Sequence, residues 1–265
     1  EFDRRQVAVH CYLEKHKMDE PTEGKEESKD SVSLMAVLTN SKGDTLAQTI
    51  DTTHLSEDRL ILSLPPTIKK WSPRSPVLYN LEVTLEDAEG IVDSTSLFYG
   101  FKKFHTANKQ FFLNNNKEHL RAGTVCWHRW SREDTMARHL LYDTTWFRKN
   151  VVGRLKSHGA NTLRFHLGTP PERFLELCDR YGLMVQYEWH FFHGMTASKS
   201  SLMEQWSNWL DLAMKHPSVV LIHPYNETSD EALHVAHEAL DEILKDYPPV
   251  VLKKRDVNHI HKYWW

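Results

Sequence analysis

The sequence has few cysteines, no long apolar run and little net charge, and each of these features disfavours a class of protein or partner. Its three cysteines, Cys11, Cys126 and Cys178, are widely spaced and form no CxxC pair, which argues against a disulfide scaffold or a thiolate zinc site. No run of 18 apolar residues occurs, so no membrane span is expected. The formal net charge of −3 gives no reason to expect a nucleic acid or an anionic membrane as partner.

What the chain contains is typical of a folded protein of more than one domain. It has 265 residues, 40% of them hydrophobic, which excludes overall disorder and fits one large or two medium domains. The N-terminus, EFDRRQ, is neither a signal peptide nor a start methionine. We therefore expect that a leader was removed or that the chain is part of a longer one.

Residues 1–106 are predicted to form an immunoglobulin-like β-sandwich. Short runs of alternating apolar residues indicate half-buried strands, and turn residues separate them. About seven short strands in about 100 residues are typical of this fold. The polar stretch 16–30 is interpreted as a long exposed loop. The alternating apolar residues are Val32, Leu34, Ala36 and Leu38, then Leu60, Leu62 and Leu64, then Leu81, Val83 and Leu85.

Residues 107–265 are predicted to form the N-terminal part of a TIM barrel. Five apolar segments alternate with four amphipathic ones, which indicates parallel strands and right-handed crossovers. The segments for strands are 120–126, 161–166, 183–189, 218–222 and 257–261. No GxGxxG or GxxxxGK[ST] motif follows a strand, so a nucleotide-binding sheet is disfavoured and no cofactor is expected. A closed barrel needs eight strands, whereas this chain supplies about five.

Polar and aromatic residues occupy the carboxyl ends of these strands, where a barrel enzyme places its chemistry. Glu227 follows an apolar strand and could act as a general acid, with Asn226 holding a substrate hydroxyl. The alternative is that residues 226–230 simply cap the next helix. The other candidates are His128, Arg164, His166, Glu188, His190, His261 and Tyr263.

Arg164 and Glu188 have structural alternatives as well. A buried arginine needs a carboxylate, which it would keep ionised, and Glu188 is either that partner or a second acid. The histidine pairs 190/193 and 259/261 have spacings that could bind zinc, but no HExxH motif occurs. No metal is therefore assigned. The GxSxG motif of serine hydrolases is absent too.

In several motifs the sequence resembles glycoside hydrolase family 2, the β-galactosidase, β-glucuronidase and β-mannosidase family. Residues 216–227, HPSVVLIHPYNE, are similar to its acid/base motif. Residues 68–81 and 98–102 resemble its sandwich domain and exit strand, and 112–123 the hairpin that enters its barrel. Residues 161–164 and 171–183 resemble its second barrel strand and the helix that follows. The order of the motifs matches along about residues 65–265.

The resemblance implies a retaining β-glycosidase that acts on O-glycosidic bonds. Glu227 would be the general acid/base, Asn226 would bind the sugar 2-hydroxyl, and Arg164 would steady the carboxylate of the nucleophile. His261 and Tyr263 would lie beside the sugar. The partner would be a carbohydrate, and the parent protein would supply the missing barrel half or further domains and could form an oligomer.

The sequence departs from the family pattern at several positions. Ile222 replaces the usual Trp, Pro224 and Tyr225 replace small residues, and Tyr187–Glu188 replaces Asp–Glu. No carboxylate matches the nucleophile, a second Glu after the seventh strand, so this chain alone is expected to be inactive. A non-catalytic carbohydrate-binding or pseudoenzyme relative is the alternative.

Overall fold

The computed structural model describes residues 5–11, 32–52, 59–126, 139–192, 195–228 and 230–247, and these form two compact units. The first unit lies within residues 5–69 and 78–99, and the second within 70–77 and 100–247. The predicted domain boundary after residue 106 stays a prediction. The predicted loop 16–30 and the predicted fifth barrel strand 257–261 lie outside the described residues.

The first unit contains six described strands in two antiparallel sheets. One sheet pairs β1 with β4, and the other has the order β3-β2-β5-β6. The strands are β1 Gln6–His10, β2 Ser33–Thr39, β3 Thr45–Asp51, β4 Arg59–Ser63, β5 Tyr79–Asp87 and β6 Gly90–Tyr99.

The apolar faces predicted for these strands are confirmed. Leu34, Ala36 and Leu38 of β2 are at most 3% exposed. They lie opposite Leu85, Val83 and Leu81 of β5. Because side chains alternate along a strand, one face of the sheet is buried.

A short antiparallel sheet begins the second unit. β7 Phe104–Ala107, β8 Gln110–Leu113 and β9 Asn116–Glu118 form two successive hairpins. The two residues of each turn have positive φ: Asn108 and Lys109 in the first, Asn114 and Asn115 in the second. Two such residues match the twist of paired strands, and asparagine tolerates this conformation well.

Four parallel strands with the order β10-β11-β12-β13 form the main sheet of the second unit. Helices alternate with them as predicted, and the helical stretch before β11 includes a π-helical segment, Arg148–Gly153. No helix within the described ranges is long and apolar enough to cross a membrane. The elements are β10 Ala122–Cys126, α1 Thr144–Phe147, α2 Arg154–Ser157, β11 Thr162–His166, α3 Glu172–Tyr181, β12 Met184–Phe192, α4 Lys199–Lys215, β13 Val219–Asn226 and α5 Asp230–Ile243.

The strand β13 and the helix α4 before it are both buried in the second unit. Every residue of β13 is buried, as expected for a central parallel strand covered by helices. One face of α4 is also buried, since Trp206, Leu210 and Ala213 are at most 1% exposed. The carboxyl ends of the four strands therefore meet at one edge of the sheet, where polar side chains gather.

Candidate functional site

The buried carboxylate of Glu188 is the centre of the polar cluster at this edge. The side chain is completely buried on β12. Its Oε1 atom accepts hydrogen bonds from Arg164 Nε, from His223 Nδ1 at 2.7 Å and from Gln186 Nε2 at 2.6 Å. These partners come from β11, β13 and β12 itself, so the carboxylate joins three neighbouring strands.

The second oxygen of Glu188 is occupied as well. Oε2 lies 2.8 Å from His166 Nδ1 and accepts a hydrogen bond from the backbone N–H of Leu167 at 3.1 Å. Leu167 has a positive φ of 53°, which turns the chain directly after β11. With five neighbouring nitrogens, both oxygens of this carboxylate have their hydrogen-bonding capacity filled.

These partners determine the charge of Glu188. Burial acts to raise the pKa of its carboxyl, but the charge of His223, hydrogen bonds from His166 and His223, and the Arg164 guanidinium outweigh burial. The pKa of Glu188 is therefore held well below its ordinary value. Glu188 is ionised at neutral pH, which makes it unsuited to donate a proton.

Arg164 joins this carboxylate to Asn226. Only its Nε bonds Glu188 Oε1, while its terminal NH2 group lies 2.9 Å from His166 Nδ1 and 3.5 Å from Asn226 Oδ1. The guanidinium therefore does not make the common two-point contact with a carboxylate. The predicted pairing of Arg164 with Glu188 is confirmed.

Asn226 offers an unused donor. Its side chain is 1% exposed, and its Nδ2 has no hydrogen-bond partner among the described residues. Because Arg164 lies nearest to Oδ1, the amide is oriented with its N–H groups away from the guanidinium. A buried donor without a partner is costly, and an oxygen of a bound ligand would satisfy it.

Glu227 lies directly after β13 at a tight corner. It is half-buried and has a φ of 49°, a left-handed conformation that is unfavourable for a residue with a Cβ. α5 begins at Asp230, so the corner is only three residues long. Strained backbone of this kind is commonly kept at functional sites.

The motif that contains Asn226 and Glu227 begins with residues that fix the start of β13. His216 Nδ1 lies 2.6 Å from Asp179 Oδ2, and the backbone N–H of Ser218 donates to Asp179 Oδ1 at 2.8 Å. The indole N–H of Trp71 donates to the Asp179 carbonyl at 2.8 Å. These buried bonds anchor the strand that carries the candidate acid.

The remaining predicted residues are not part of the described cluster. His190 is exposed, and its ring contacts that of Trp189 at 4.6 Å. Partial burial lowers the pKa of His190. His128, His193, His261 and Tyr263 lie outside the described residues. Within the ranges that the structure covers, no three or more His, Cys, Asp or Glu side chains are arranged so that they could hold a metal ion.

Sequence reasoning missed His223 and Gln186. Gln186 precedes Glu188 by two residues, so strand alternation could have placed both side chains on one face. His223 is three residues before Asn226, and simple alternation puts the two on opposite faces. A register shift between Val185 and Gln186 brings His223 opposite Glu188, and a second shift, between Glu188 and Phe191, brings Phe192 opposite Asn226.

Comparisons with known proteins give one family. A family model described as glycosyl hydrolases family 2 matches residues 14–102. A β-galactosidase of Vibrio vulnificus (strain YJ016) is 30% identical over 180 residues, covering 63% of this chain and 17% of the relative. A β-galactosidase of Psychromonas ingrahamii is 28% identical over 176 residues, covering 62% of this chain and 16% of the relative.

Solved structures agree on the fold. The β-glucuronidase of Parabacteroides merdae matches with a TM-score of 0.66 at 18% identity, covering 82% of this chain and 28% of that structure. A family 2 member from Bacteroides cellulosilyticus matches with a TM-score of 0.67 at 20% identity, and the match covers 84% of this chain and 31% of that structure. The chain spans between 11% and 19% of the length of curated relatives that it matches. Sequence and structure comparisons together confirm that this chain resembles glycosyl hydrolase family 2.

Proposed function

We propose that this chain is part of a retaining β-glycosidase that hydrolyses O-glycosidic bonds of carbohydrates. In this proposal residues 1–106 form an immunoglobulin-like sandwich and residues 107–265 form the first five strands of a TIM barrel. The four parallel strands with alternating helices support the barrel. β10 and β13 are the outer strands of the described sheet, where further strands of a barrel would pair.

One observation carries the proposal. Asn226 and Glu227 end the fourth parallel strand, and Arg164 reaches from β11 to Asn226 Oδ1 at 3.5 Å. An amide and a guanidinium thus lie together at the carboxyl end of β13, directly before Glu227, at the end of the strands where barrel enzymes hold their substrates. The comparisons independently lead to a family whose named members are β-glycosidases.

The proposed mechanism has two steps. Glu227 protonates the glycosidic oxygen while a nucleophilic carboxylate, which this sequence does not provide, attacks the anomeric carbon. Glu227 then removes a proton from the water that releases the sugar. Asn226 donates to the 2-hydroxyl, an interaction that strengthens in the transition state. Arg164 steadies the nucleophile.

The histidines would form the sugar-binding wall. His128, His166, His190, His261 and Tyr263 are proposed contacts to the carbohydrate, with Glu188 holding His166 rather than touching the sugar. The Nδ1 contact of His166 to Glu188 supports this division, because it fixes the ring through one nitrogen.

Glu227→Gln in a full-length protein that carries this sequence tests the role of the acid. We expect kcat on unactivated β-glycosides to fall by at least about 100-fold, because general acid catalysis contributes that much or more. The matched control is Glu238→Gln, which removes an exposed carboxyl of α5 and should leave kcat unchanged. An unchanged kcat in Glu227→Gln excludes Glu227 from the mechanism.

A carbohydrate-binding relative without activity is the second candidate. The replacements Tyr187 and Tyr225 favour it at the level of sequence. However, Tyr187 stacks on Trp209 at 5.4 Å and Tyr225 hydrogen-bonds His237 at 2.7 Å, so both contact helices. Calorimetric titration with β-glycosides beside an activity assay distinguishes the candidates, since binding without turnover supports the second.

A further inference from the structure

His223 is the least expected member of the Glu188 cluster. It lies on β13, its side chain is completely buried, and its backbone is opposite that of Glu188. The four preceding residues of the strand, 219–222, are all apolar and buried. An apolar side chain would fill this position, so a buried histidine needs another explanation.

The hydrogen-bond geometry determines which ring nitrogen of His223 carries a proton. Its Nδ1 is 2.7 Å from Glu188 Oε1 and 3.4 Å from Gln186 Nε2. The amide of Gln186 already donates to the same carboxylate oxygen at 2.6 Å. An ionised carboxylate only accepts hydrogen bonds, so His223 Nδ1 must be the donor.

This donation affects how Arg164 is used. His223 and Gln186 occupy Oε1 beside Arg164 Nε, while His166 and the backbone of Leu167 occupy Oε2. The second oxygen is therefore not available to the terminal NH2 group of Arg164, which lies 2.9 Å from His166 Nδ1 and 3.5 Å from Asn226 Oδ1. Because His166 Nδ1 donates to Oε2, it cannot also accept from this group, and Asn226 Oδ1 is the acceptor left to it. Without a donor at position 223, Oε1 loses one of the bonds that fix the carboxylate, and the carboxylate can turn toward a two-point contact with the guanidinium at the expense of its bonds to His166 and Leu167.

We propose that His223 is a positioning residue for Asn226, acting through Glu188 and Arg164. Its Nδ1–H fixes the Glu188 carboxylate in a rotation that leaves the Arg164 NH2 group directed at Asn226 Oδ1. The Asn226 amide then presents its N–H groups to a ligand oxygen. The inference rests on the proposed function, because that ligand oxygen is the sugar 2-hydroxyl.

Two variants separate positioning from packing. His223→Asn keeps an N–H donor near the place of Nδ1, whereas His223→Leu fills the space without a donor. His234→Asn is the matched control, because that side chain is 77% exposed on α5. The substrates are an aryl β-glycoside and its 2-deoxy counterpart, assayed with a full-length protein that carries this sequence.

We expect His223→Leu to lower about 10-fold the kcat/KM for the aryl β-glycoside relative to that for its 2-deoxy counterpart. This is the effect of one lost hydrogen bond. The rate on the 2-deoxy substrate should stay unchanged, and His223→Asn should restore most of the ratio. Equal losses on both substrates, or no loss, would overturn the proposal.

Nuclear magnetic resonance of the 265-residue chain tests the inference without catalysis. The ¹⁵N shifts of His223 should show the proton on Nδ1, and the side-chain amide signals of Asn226 should move in His223→Leu but not in His234→Asn. A proton on Nε2 alone, or unmoved Asn226 signals, would overturn the inference. If no substrate is turned over, the proposed function fails, and these signals still decide the role of His223.

Discussion

The Glu188 carboxylate shows how one residue can determine the properties of a site. It is fully buried, yet it is ionised because positive and hydrogen-bonding groups surround it. A buried charge of this kind is stabilising only while its partners remain. The residue that could be mistaken for a second catalytic acid therefore has an organising role, and Glu227 is left as the candidate proton donor.

Replacing Glu188 by Gln tests that role. The amide removes the negative charge and leaves the Arg164 guanidinium buried without its counter-charge, so we expect a loss of about 3–5 kcal/mol in the free energy of unfolding at pH 7. No tryptophan occurs in residues 1–69 or 78–99, which contain the first unit, whereas the second unit contains Trp206 and Trp209. Tryptophan fluorescence during urea unfolding therefore follows the second unit. A loss below about 1 kcal/mol would contradict the account.

The loss of stability in Glu188→Gln should be smaller at acidic pH than at neutral pH. The pKa of Glu188 in the folded chain is below the unfolded value of 4.5. Its stabilisation is therefore complete above 4.5 and declines as pH falls from there through the lower folded value. The difference in stability between wild type and Glu188→Gln should stay constant from pH 7 to about 5.5 and shrink below pH 4.5.

The sequence predicted contacts that the chemistry of a side chain requires, but it did not predict contacts that depend on the register between two strands. A buried arginine needs a carboxylate, and the pairing of Arg164 with Glu188 followed from that need. His223 joins the same carboxylate through an irregularity between β12 and β13. An irregular register depends on the packing of two strands, so the alternation of either strand alone does not reveal it.

At the scale of elements, the glycine that ends α3 is required both by the helix end itself and by a contact with a segment far away in the sequence. Gly182 ends the helix with a φ of 67°, as a glycine after an amphipathic segment predicts. A Cβ here would lie 2.5 Å from the Pro73 carbonyl oxygen. Lys156 Nζ donates to the Tyr181 carbonyl at 2.6 Å and to that of Pro73 at 3.3 Å, which holds the three segments together.

Gly182→Ala and Gly159→Ala form a matched pair. Both glycines have positive φ, at 67° and 77°, but a Cβ at Gly159 meets no atom within 4 Å. We expect Gly159→Ala to cost about 1–2 kcal/mol from backbone strain alone. Gly182→Ala should cost about 1–3 kcal/mol more, because the Pro73 backbone must move. Equal losses in urea unfolding would show that the contact with Pro73 is unimportant.

Periodicity predicted most helices and strands of both units, because burial on one face leaves a repeating pattern. It did not predict the π-helical segment Arg148–Gly153, which keeps the same apolar face in contact with the core. The hairpin turn at Asn114 lies within the segment that resembles the family's hairpin, whereas the turn at Asn108 was not predicted, since its positive φ is a property of the folded pair of strands.

At the scale of the whole molecule, the chain order hides one feature of the organisation. Residues 70–77 lie between strands of the first unit but belong to the second. Trp71 explains this assignment, because it is fully buried, its backbone N–H donates to the Phe101 carbonyl, and its indole donates to Asp179. These partners are 30 and 108 residues away along the chain, at distances that local patterns cannot register.

The central claim is that Glu227 donates a proton to the departing sugar, and the dependence on the leaving group tests it most directly. In a full-length protein that carries this sequence, Glu227→Gln should lower kcat/KM at least about 100-fold for an alkyl β-glycoside, whose leaving group needs protonation. It should leave a 2,4-dinitrophenyl β-glycoside, whose leaving group departs as an anion, within a few-fold of wild type. Equal losses on both substrates, or none on either, would contradict the account.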